Sequence, residues 1–567
     1  MAINLKRLIS VARGQQPADL ILQNSRIVNV FNGKIEEGDV AIIDGLIAGI
    51  GKYTLARETI DLTNQYLLPG FINGHVHIES SLLDVPQYAR AVVPRGTTAL
   101  VTDLHEIANV LGMDGIEYVL DCAANLPFDL FLMAPSCVPA THMETSGATL
   151  NATEIKQLLK MKQCLGLGEM MNYPGVLFSD KNVLGKIAAV KNKVVDGHAP
   201  GLSGSDLNAY TAAGIGSDHE SVGIAEAREK LARGMHIMIR EGSSEKNLET
   251  LLPLVNDETY ARCMLVVDDR SAADILNDGD IDAVVRKAIR LGLNPLRAIR
   301  MATINTAQYF RIERLGAVAP GYYANLVVSS NLNTLPVDAV FHRGVMVGKK
   351  CQPLFATTST GKTAITDSMN IKSFTADSFR LSSRGATFPV IEIVPGQIIT
   401  RRLDIKPRVV NGLIQTNVEK DILKLVVVER HHKTGNIGLG LVKGFGIKHG
   451  AIASSVAHDS HNIVCAGTDD KDIYQAVKEV EKMHGGIVVV VQGKVMASLA
   501  LPVAGLLANL PLEAVVTSSQ KLDKTAAELG CKLPAPFAVL SFLALPVIPE
   551  LRLTDKGLVD VNQFKLI

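Results

Sequence analysis

An apolar run beginning at Leu67 ends in His75-Val76-His77, and comparable endings recur down the chain. Side chains two apart on a strand point to the same face, so His75 and His77 would present two imidazoles side by side, as two ligands of one metal ion require. Taken alone, the pair reads more readily as two solvated histidines on an edge strand. Recurrence decides the matter. Eight strand-like runs follow one another: LLPGFINGHVHI, TTALVTDLHE, FDLFLMAPSC, CLGLGEM, KVVDGHAP, GIGSDHE, HIMIREG and CMLVVDDR. Helix-like segments separate most of them, among them Val183 to Lys193, Ser205 to Ala213, Gly223 to Arg233 and Lys246 to Val255. Eight such βα units fit a (β/α)8 barrel, whose active sites lie at the C-terminal strand ends. An open doubly wound sheet gathers its ligands at one switch point and fits less well.

The flanks read differently. From Leu20 to Thr63, short β-type runs are broken by Asn-Gly and Asp-Gly turn signals, and β-type runs return from Gly316 to Lys349. Neither set can close a core unaided, so together they are expected to form one small β-sandwich, residues 1–66 with 311–356, beside a barrel at 67–310. Ile281 to Phe310 reads as helical with a break around Gly292 to Pro295. A Ser/Thr/Gly-rich linker is expected from Thr357 to Lys372, followed by a C-terminal α/β domain at 373–567. The glycines of Gly438-Leu439-Gly440 and Gly444-Phe445-Gly446 match no phosphate loop and read as turns, with Gly435 to Gly446 a mobile stretch.

The strand ends supply the chemistry. In order they give His75 and His77; Asp103, His105 and Glu106; Glu169; Asp196 and His198; Asp218, His219 and Glu220; and Asp268, Asp269 and Arg270. Four imidazoles and two carboxylates converging on one barrel mouth can hold two divalent cations, with Glu169 placed to bridge them. Such a pair lowers the pKa of bound water from about 15.7 toward about 7 and makes a nucleophile available at neutral pH. Asp268, closing the last strand, is placed to carry the proton to a leaving group. His105 and Glu106 are open to several roles: polarising or protonating a substrate ring nitrogen, adding to the metal ligands, or orienting one of them. A metallohydrolase follows from spacing, and spacing stops there.

Composition narrows the alternatives. Lys+Arg and Asp+Glu both number 57, and no basic run stands out, which argues against a nucleic-acid-binding role. The seven cysteines form no CxxC pair and read as reduced, buried thiols, so a cytoplasmic location is expected. The N-terminus lacks the apolar core of a signal peptide. Prolines interrupt the apolar stretch Met496 to Val516, and Phe537 to Ile548 is too short to span a bilayer, so no membrane association is expected.

The barrel pattern, with its HxH, fourth-strand ligand, two later histidines and final Asp, resembles the amidohydrolase superfamily. PGFINGHVHIESS, LHEIANVLG, GLGEMMNYPGV, DGHAPGLSG, GSDHES, IMIREGS and VDDR are similar to the bacterial and archaeal adenine deaminases, and NIGLGLVKGFGIKHGAIASSVAHDSHNIVCAGTD extends the likeness to that family's C-terminal domain. The resemblance implies hydrolysis of adenine, a small-molecule purine base, to hypoxanthine and ammonia at two divalent metal ions (iron, manganese or zinc). It implies His75, His77, Glu169, His198, His219 and Asp268 as ligands, Asp268 as proton carrier, and Glu106 or His105 as assistants at a ring nitrogen. Asp269, Arg270, His458 and His461 are expected at the substrate, and a homodimer is expected. Two residues depart from the family pattern: Val267 stands in place of a usual Thr, and Asp280 in place of a usual His. A dihydropyrimidinase- or allantoinase-like cyclic amide hydrolase is the alternative, but those enzymes usually carry a carboxylated lysine where this chain has Glu169. A metal-free structural barrel is the lesser alternative, and the intact ligand set speaks against it.

Overall fold

Eight parallel strands close into a barrel in the computed structural model, which describes residues 4–357, 367–383 and 385–567. They are Phe71–His77, Thr97–Asp103, Asp129–Ala134, Cys164–Met170, Val194–Gly197, Ser217–Asp218, His236–Arg240 and Cys263–Val266. Asp268–Asp269 continues the eighth and pairs parallel with the first, Asp268 beside Val76 and Asp269 beside His77. The sixth strand is only two residues long, and the barrel is carried past it by Gly216 N–H donating to Val195 O (2.9 Å) and His236 N–H donating to Gly216 O (2.8 Å). Each of the eight falls on a run expected to be a strand. The first two are buried along their whole length, which is why they read as apolar runs and not as alternating ones.

Below the mouth the barrel is filled by Ile72, Val101, Met133, Met238 and Met264, with Phe310 among them. Ile72 faces this interior while Val76 packs outside, so the inward phase flips along the first strand. The register shift between Asn73 and Val76 accounts for this: one extra residue turns His75 and His77 inward. The helical stretch breaks after Arg290 as expected, into Ile281–Arg290 and Pro295–Met301, and breaks a second time, beyond what the sequence pattern predicts, before Ile304–Tyr309. Lys246 to Val255 forms only a short helix, Leu248–Leu251, continued by a 3-10 turn at Leu252–Leu254, where Pro253 cannot donate a helical hydrogen bond.

Both flanks of the barrel contribute to one nine-stranded sheet. Leu326–Ser329 pairs antiparallel with Tyr66–Pro69, which joins the N-terminal strands to those beyond the barrel. The sheet wraps around Leu22, Ile27, Val40, Leu67, Leu326 and Phe341.

The C-terminal region is built on an eight-stranded sheet spanning residues 388–500, antiparallel except where Phe388–Ile393 lies beside Ile437–Lys443. Helix Asp470–Lys482 covers one face through Ile473, Val477 and Val480. Helix Leu512–Glu528 lies against the barrel, where the Arg90 guanidinium pairs with Glu513 (2.7 Å). Gly438 and Gly440 sit inside strand Ile437–Lys443 and not in a turn as expected. A Cβ at Gly438 would lie 1.8 Å from Thr554 O, so the glycine marks close backbone packing, not mobility. Most of the expected linker lies outside the described residues; its described end docks on this region, Asn370 N–H donating to Arg430 O (2.7 Å). Among the described residues no helix is long and apolar enough to cross a membrane.

Candidate metal centre

All six expected ligands meet at the barrel mouth around Glu169. One carboxylate oxygen, Oε1, lies 3.9 Å from His75 Nε2 and 3.2 Å from His77 Nε2. The other, Oε2, lies 2.7 Å from His198 Nδ1 and 3.2 Å from His219 Nε2. Each oxygen therefore faces its own pair of imidazoles. Asp268 Oδ1 closes the first group, 3.4 Å from His75 Nε2 and 3.3 Å from His77 Nε2. Donor atoms of His75, His77 and Glu169 lie within 4.8 Å of one another, as do those of Glu169, His198 and His219, and those of His75, His219 and Asp268.

The backbone places these groups for physical reasons. Gly168 precedes Glu169 because a Cβ there would fall 1.7 Å from Asp103 Oδ2. That approach lets Asp103 accept the Glu169 N–H (3.0 Å) and fix the bridging residue's main chain. Asp268 adopts φ 65°, a conformation few non-glycine residues take, as it ends the eighth strand beside the first. His77 Nδ1 lies 3.0 Å from Asp103 O, so it carries the proton and leaves the Nε2 lone pair toward the centre.

Burial raises the carboxyls of Glu169 and Asp268, but the surrounding imidazoles, and for Asp268 the Arg240 guanidinium, outweigh it and hold both well below the usual range. Both are therefore ionised. His75 Nε2 is buried with no hydrogen-bond partner although it faces two carboxylates. An orphaned imidazole nitrogen among ionised carboxylates is a donor set that fits a divalent cation of the zinc, iron or manganese kind.

His105 links this centre to Glu106. Its Nδ1 is 3.6 Å from Glu169 Oε1 and its Nε2 is 3.5 Å from Glu106 Oε1. Asp269 contacts the Ser80 hydroxyl, and Arg270 Nη1 donates to Glu241 O (3.0 Å). Both line a cavity of about 210 Å³ between the barrel mouth and the C-terminal region, shared with Glu79, Glu106, His458 and His461. His458 and His461 thus do come to the mouth: His458 Nδ1 is 2.6 Å from Glu106 Oε1, and His461 Nε2 contacts Glu106 Oε2.

Three residues of the site have no role that sequence alone assigns. Arg240 donates to Asp268 Oδ2 (2.7 Å) and, through Nη2, to Glu220 Oε2 (2.9 Å), so it holds the Asp268 carboxylate from behind. Its only signal is the polar end of IMIREG at the seventh strand. Asp103 is signalled by its place at the second strand end. Arg430 has no signal: a fully buried guanidinium, it reaches His461 O, Ser368 O (3.1 Å) and Ala504 O (3.0 Å) and so fastens the 457–462 loop from below. The two departures from the family pattern meet at Asn73, whose Oδ1 accepts the Val267 N–H (3.3 Å) and whose Nδ2 lies 3.4 Å from the Asp280 carboxylate.

A closed (β/α)8 barrel with two carboxylates and four imidazoles at its mouth defines a metal-dependent hydrolase, and the Amidohydrolase family pattern matches residues 66–350. The pattern of the Adenine deaminase C-terminal domain matches residues 397–565. Adenine deaminase of Dehalococcoides mccartyi is 61% identical over 100% of this chain and 99% of its own. Adenine deaminase 2 of Carboxydothermus hydrogenoformans is 47% identical over 99% of each chain, and adenine deaminase of Methanothrix thermoacetophila 48% identical over 99% of each. The chain belongs to the amidohydrolase family, and within it to the adenine deaminases.

Proposed function

We propose that this chain hydrolyses adenine to hypoxanthine and ammonia, using two divalent cations held by His75, His77, Glu169, His198, His219 and Asp268. The observation that carries the activity is likeness across the whole chain, barrel and C-terminal region alike, to proteins that are adenine deaminases. The split of Glu169, one oxygen toward each histidine pair, supports two ions over one. Bound there, divalent ions lower the pKa of water and supply a nucleophile at neutral pH. The rest falls to the chain's own side chains. Asp268, ionised and braced by Arg240, accepts a proton from the attacking water and passes it to the departing amine. The Glu106 side chain, His105 and the C-terminal histidines face the same cavity or adjoin it, and serve the purine ring; Asp269 and Arg270 line its rim.

The same reading divides the chain into three working units: residues 1–66 with 311–356, the barrel at 67–310, and 373–567. Glu169 at the fourth strand end counts against a cyclic amide hydrolase of the carboxylated-lysine kind. Ammonia release from adenine, adenosine, guanine, cytosine and dihydrouracil tests the assignment. Adenine is expected to be turned over well and adenosine poorly; efficient adenosine or dihydrouracil hydrolysis with adenine untouched would overturn it.

A further inference from the structure

Glu106 is held at both oxygens by the C-terminal region. His458 Nδ1 lies 2.6 Å from Oε1, and His461 Nε2 contacts Oε2. The two imidazoles are not equivalent. His461 Nδ1 accepts the Ala457 N–H (3.2 Å), so its ring proton sits on Nε2, facing the carboxylate. That ring is buried, hydrogen-bonded at Nδ1 and packed at Nε2 against Glu106 Oε2. In His458, Nδ1 is taken by Glu106, while Nε2 has no protein partner among the described residues and the side chain lines the cavity. Its ring is stacked on Phe542, with centroids 4.6 Å apart and planes inclined by 21°.

Glu106 accepts the His458 Nδ1–H at Oε1, and against its burial His458, His461 and His105 together hold its carboxyl well below the usual range, so it is an acceptor with no proton to offer. The group that couples this cluster to a bound molecule is therefore His458, through Nε2. We propose that His458, supplied by the C-terminal region, is the catalytic residue that protonates the purine ring nitrogen next to the reacting carbon, with Glu106 as its anchor and His461 fixing Glu106 in place. This rests on the adenine deaminase reading and assigns a step within it.

The electrostatics agree with the geometry. Burial works against a charge on His458, but Glu106, with Asp269 and Asp459, outweighs it and pushes the ring up to about 9. His461 is held down at about 4 by burial, which exceeds the opposing pull of Glu106, so it is neutral. Burial would raise Glu106, yet His458, His461 and His105 keep it well below the usual carboxylate range. The protons balance. As the water oxygen bonds to the ring carbon, His458 gives its Nε2 proton to the adjacent ring nitrogen, where it stays in hypoxanthine. Asp268 takes the two protons of the water in turn. One completes ammonia as the carbon–amine bond breaks, and the other passes to solvent, from which His458 is recharged.

The experiment compares adenine turnover by wild type, His458→Ala, His458→Asn and Glu106→Gln, with metal content measured on each preparation. Asparagine keeps an N–H donor near the Nδ1 position but has no ring proton to transfer. The proposal expects His458→Asn and His458→Ala to lose about 10²–10⁴-fold in kcat at unchanged metal content. Added imidazole should restore part of the activity of the alanine variant. The double variant with Glu106→Gln should be little worse than either single one, because the pair acts as a unit. If His458→Asn retains kcat within about threefold of wild type, or costs only KM, His458 merely holds Glu106 or the substrate and the proposal is wrong. Should the alanine variant lose metal or fold, the asparagine variant and the double-variant comparison still decide. A wild type that releases no ammonia from adenine would instead defeat the activity assignment, a separate result.

Discussion

The barrel mouth and the C-terminal loop at 457–462 both bring histidines to Glu106, His105 from the one and His458 and His461 from the other, but they are positioned by different means. The barrel donors stand at the ends of parallel strands whose ladder fixes each position, and the backbone itself is adjusted to aim them, by the register shift before His75 and by the positive φ of Asp268. The loop donors lie beyond the ladder, in the connection between the paired strands Ala451–Ser454 and Ile463–Gly467. They are held by side chains reaching main-chain groups: Arg430 to His461 O, His431 Nε2 to Ser460 O (2.7 Å), Asn462 Oδ1 from Arg430 N–H (3.2 Å), and Asn462 Nδ2 across to Thr145 O (2.8 Å) in the barrel. One half of the site is therefore built into a fold, and the other half is docked onto it. Damage to the first should remove chemistry, whereas damage to the fastenings of the second should loosen the cavity and leave the metal donors assembled.

The largest effect is expected from Asp268→Asn. An amide accepts no proton from water, so kcat should fall by about 10²–10⁴-fold while the protein stays folded, as circular dichroism and steady-state kinetics would show. A near-normal kcat would shift the proton-carrying role to another carboxylate and leave the barrel half without a unique claim on the chemistry.

A smaller and different effect is expected from Arg430→Met. The guanidinium is fully buried among carbonyls, and its replacement leaves those acceptors unpaired at about 1–3 kcal/mol each. Thermal stability should drop, KM for adenine should rise about tenfold, and metal content should remain that of wild type. Loss of metal in this variant would show that the two halves are not separable.

What is legible in the sequence follows from the same contrast. The eight strands and the six donors can be read because a parallel barrel puts apolar runs and their polar ends in register with the chain itself. The inward turn of His75 and His77 cannot be read: strict alternation from Ile72 would point them outward, and only the register shift corrects it. Gly438 misleads for a similar reason, since a glycine demanded by a neighbouring backbone, Thr554 O, has the same letter as one demanded by a turn. Arg240 and Arg430 escape sequence reading because a buried guanidinium is specified by partners distant in sequence: Asp268 and Glu220 for one, and the carbonyls of Ser368, His461 and Ala504 for the other. His458 and His461 are visible as a pair of histidines in a polar loop between apolar runs. Nothing in the sequence signals the carboxylate they meet.

The smallest predicted effect lies at the start of the seventh strand, away from both halves. His236 packs against Tyr309 with ring centroids 4.6 Å apart, and burial, aided by the Arg262 charge, pulls its ring down to about 4. The unfolded chain takes up a proton there near pH 6.5, before the folded chain does. The stability contributed by the neutral ring is therefore present above about pH 6.5 and is lost as pH falls toward about 4. His236→Gln should flatten that part of the melting temperature against pH curve and leave adenine turnover at neutral pH unchanged. An unaltered acid slope would place the acid sensitivity elsewhere.

Whether the barrel mouth works as a two-ion centre is decided by metal titration. The protein is stripped with a chelator, and manganese, iron(II) or zinc is returned in measured equivalents while bound metal and adenine turnover are followed on the same samples. Turnover is predicted to be absent in the stripped protein and to rise with bound metal to a plateau at two ions per chain, with His75→Ala binding less metal and reaching no plateau. Full turnover by protein shown to be metal-free, or a plateau at two ions that survives the loss of His75, would contradict a two-ion centre built on these six side chains.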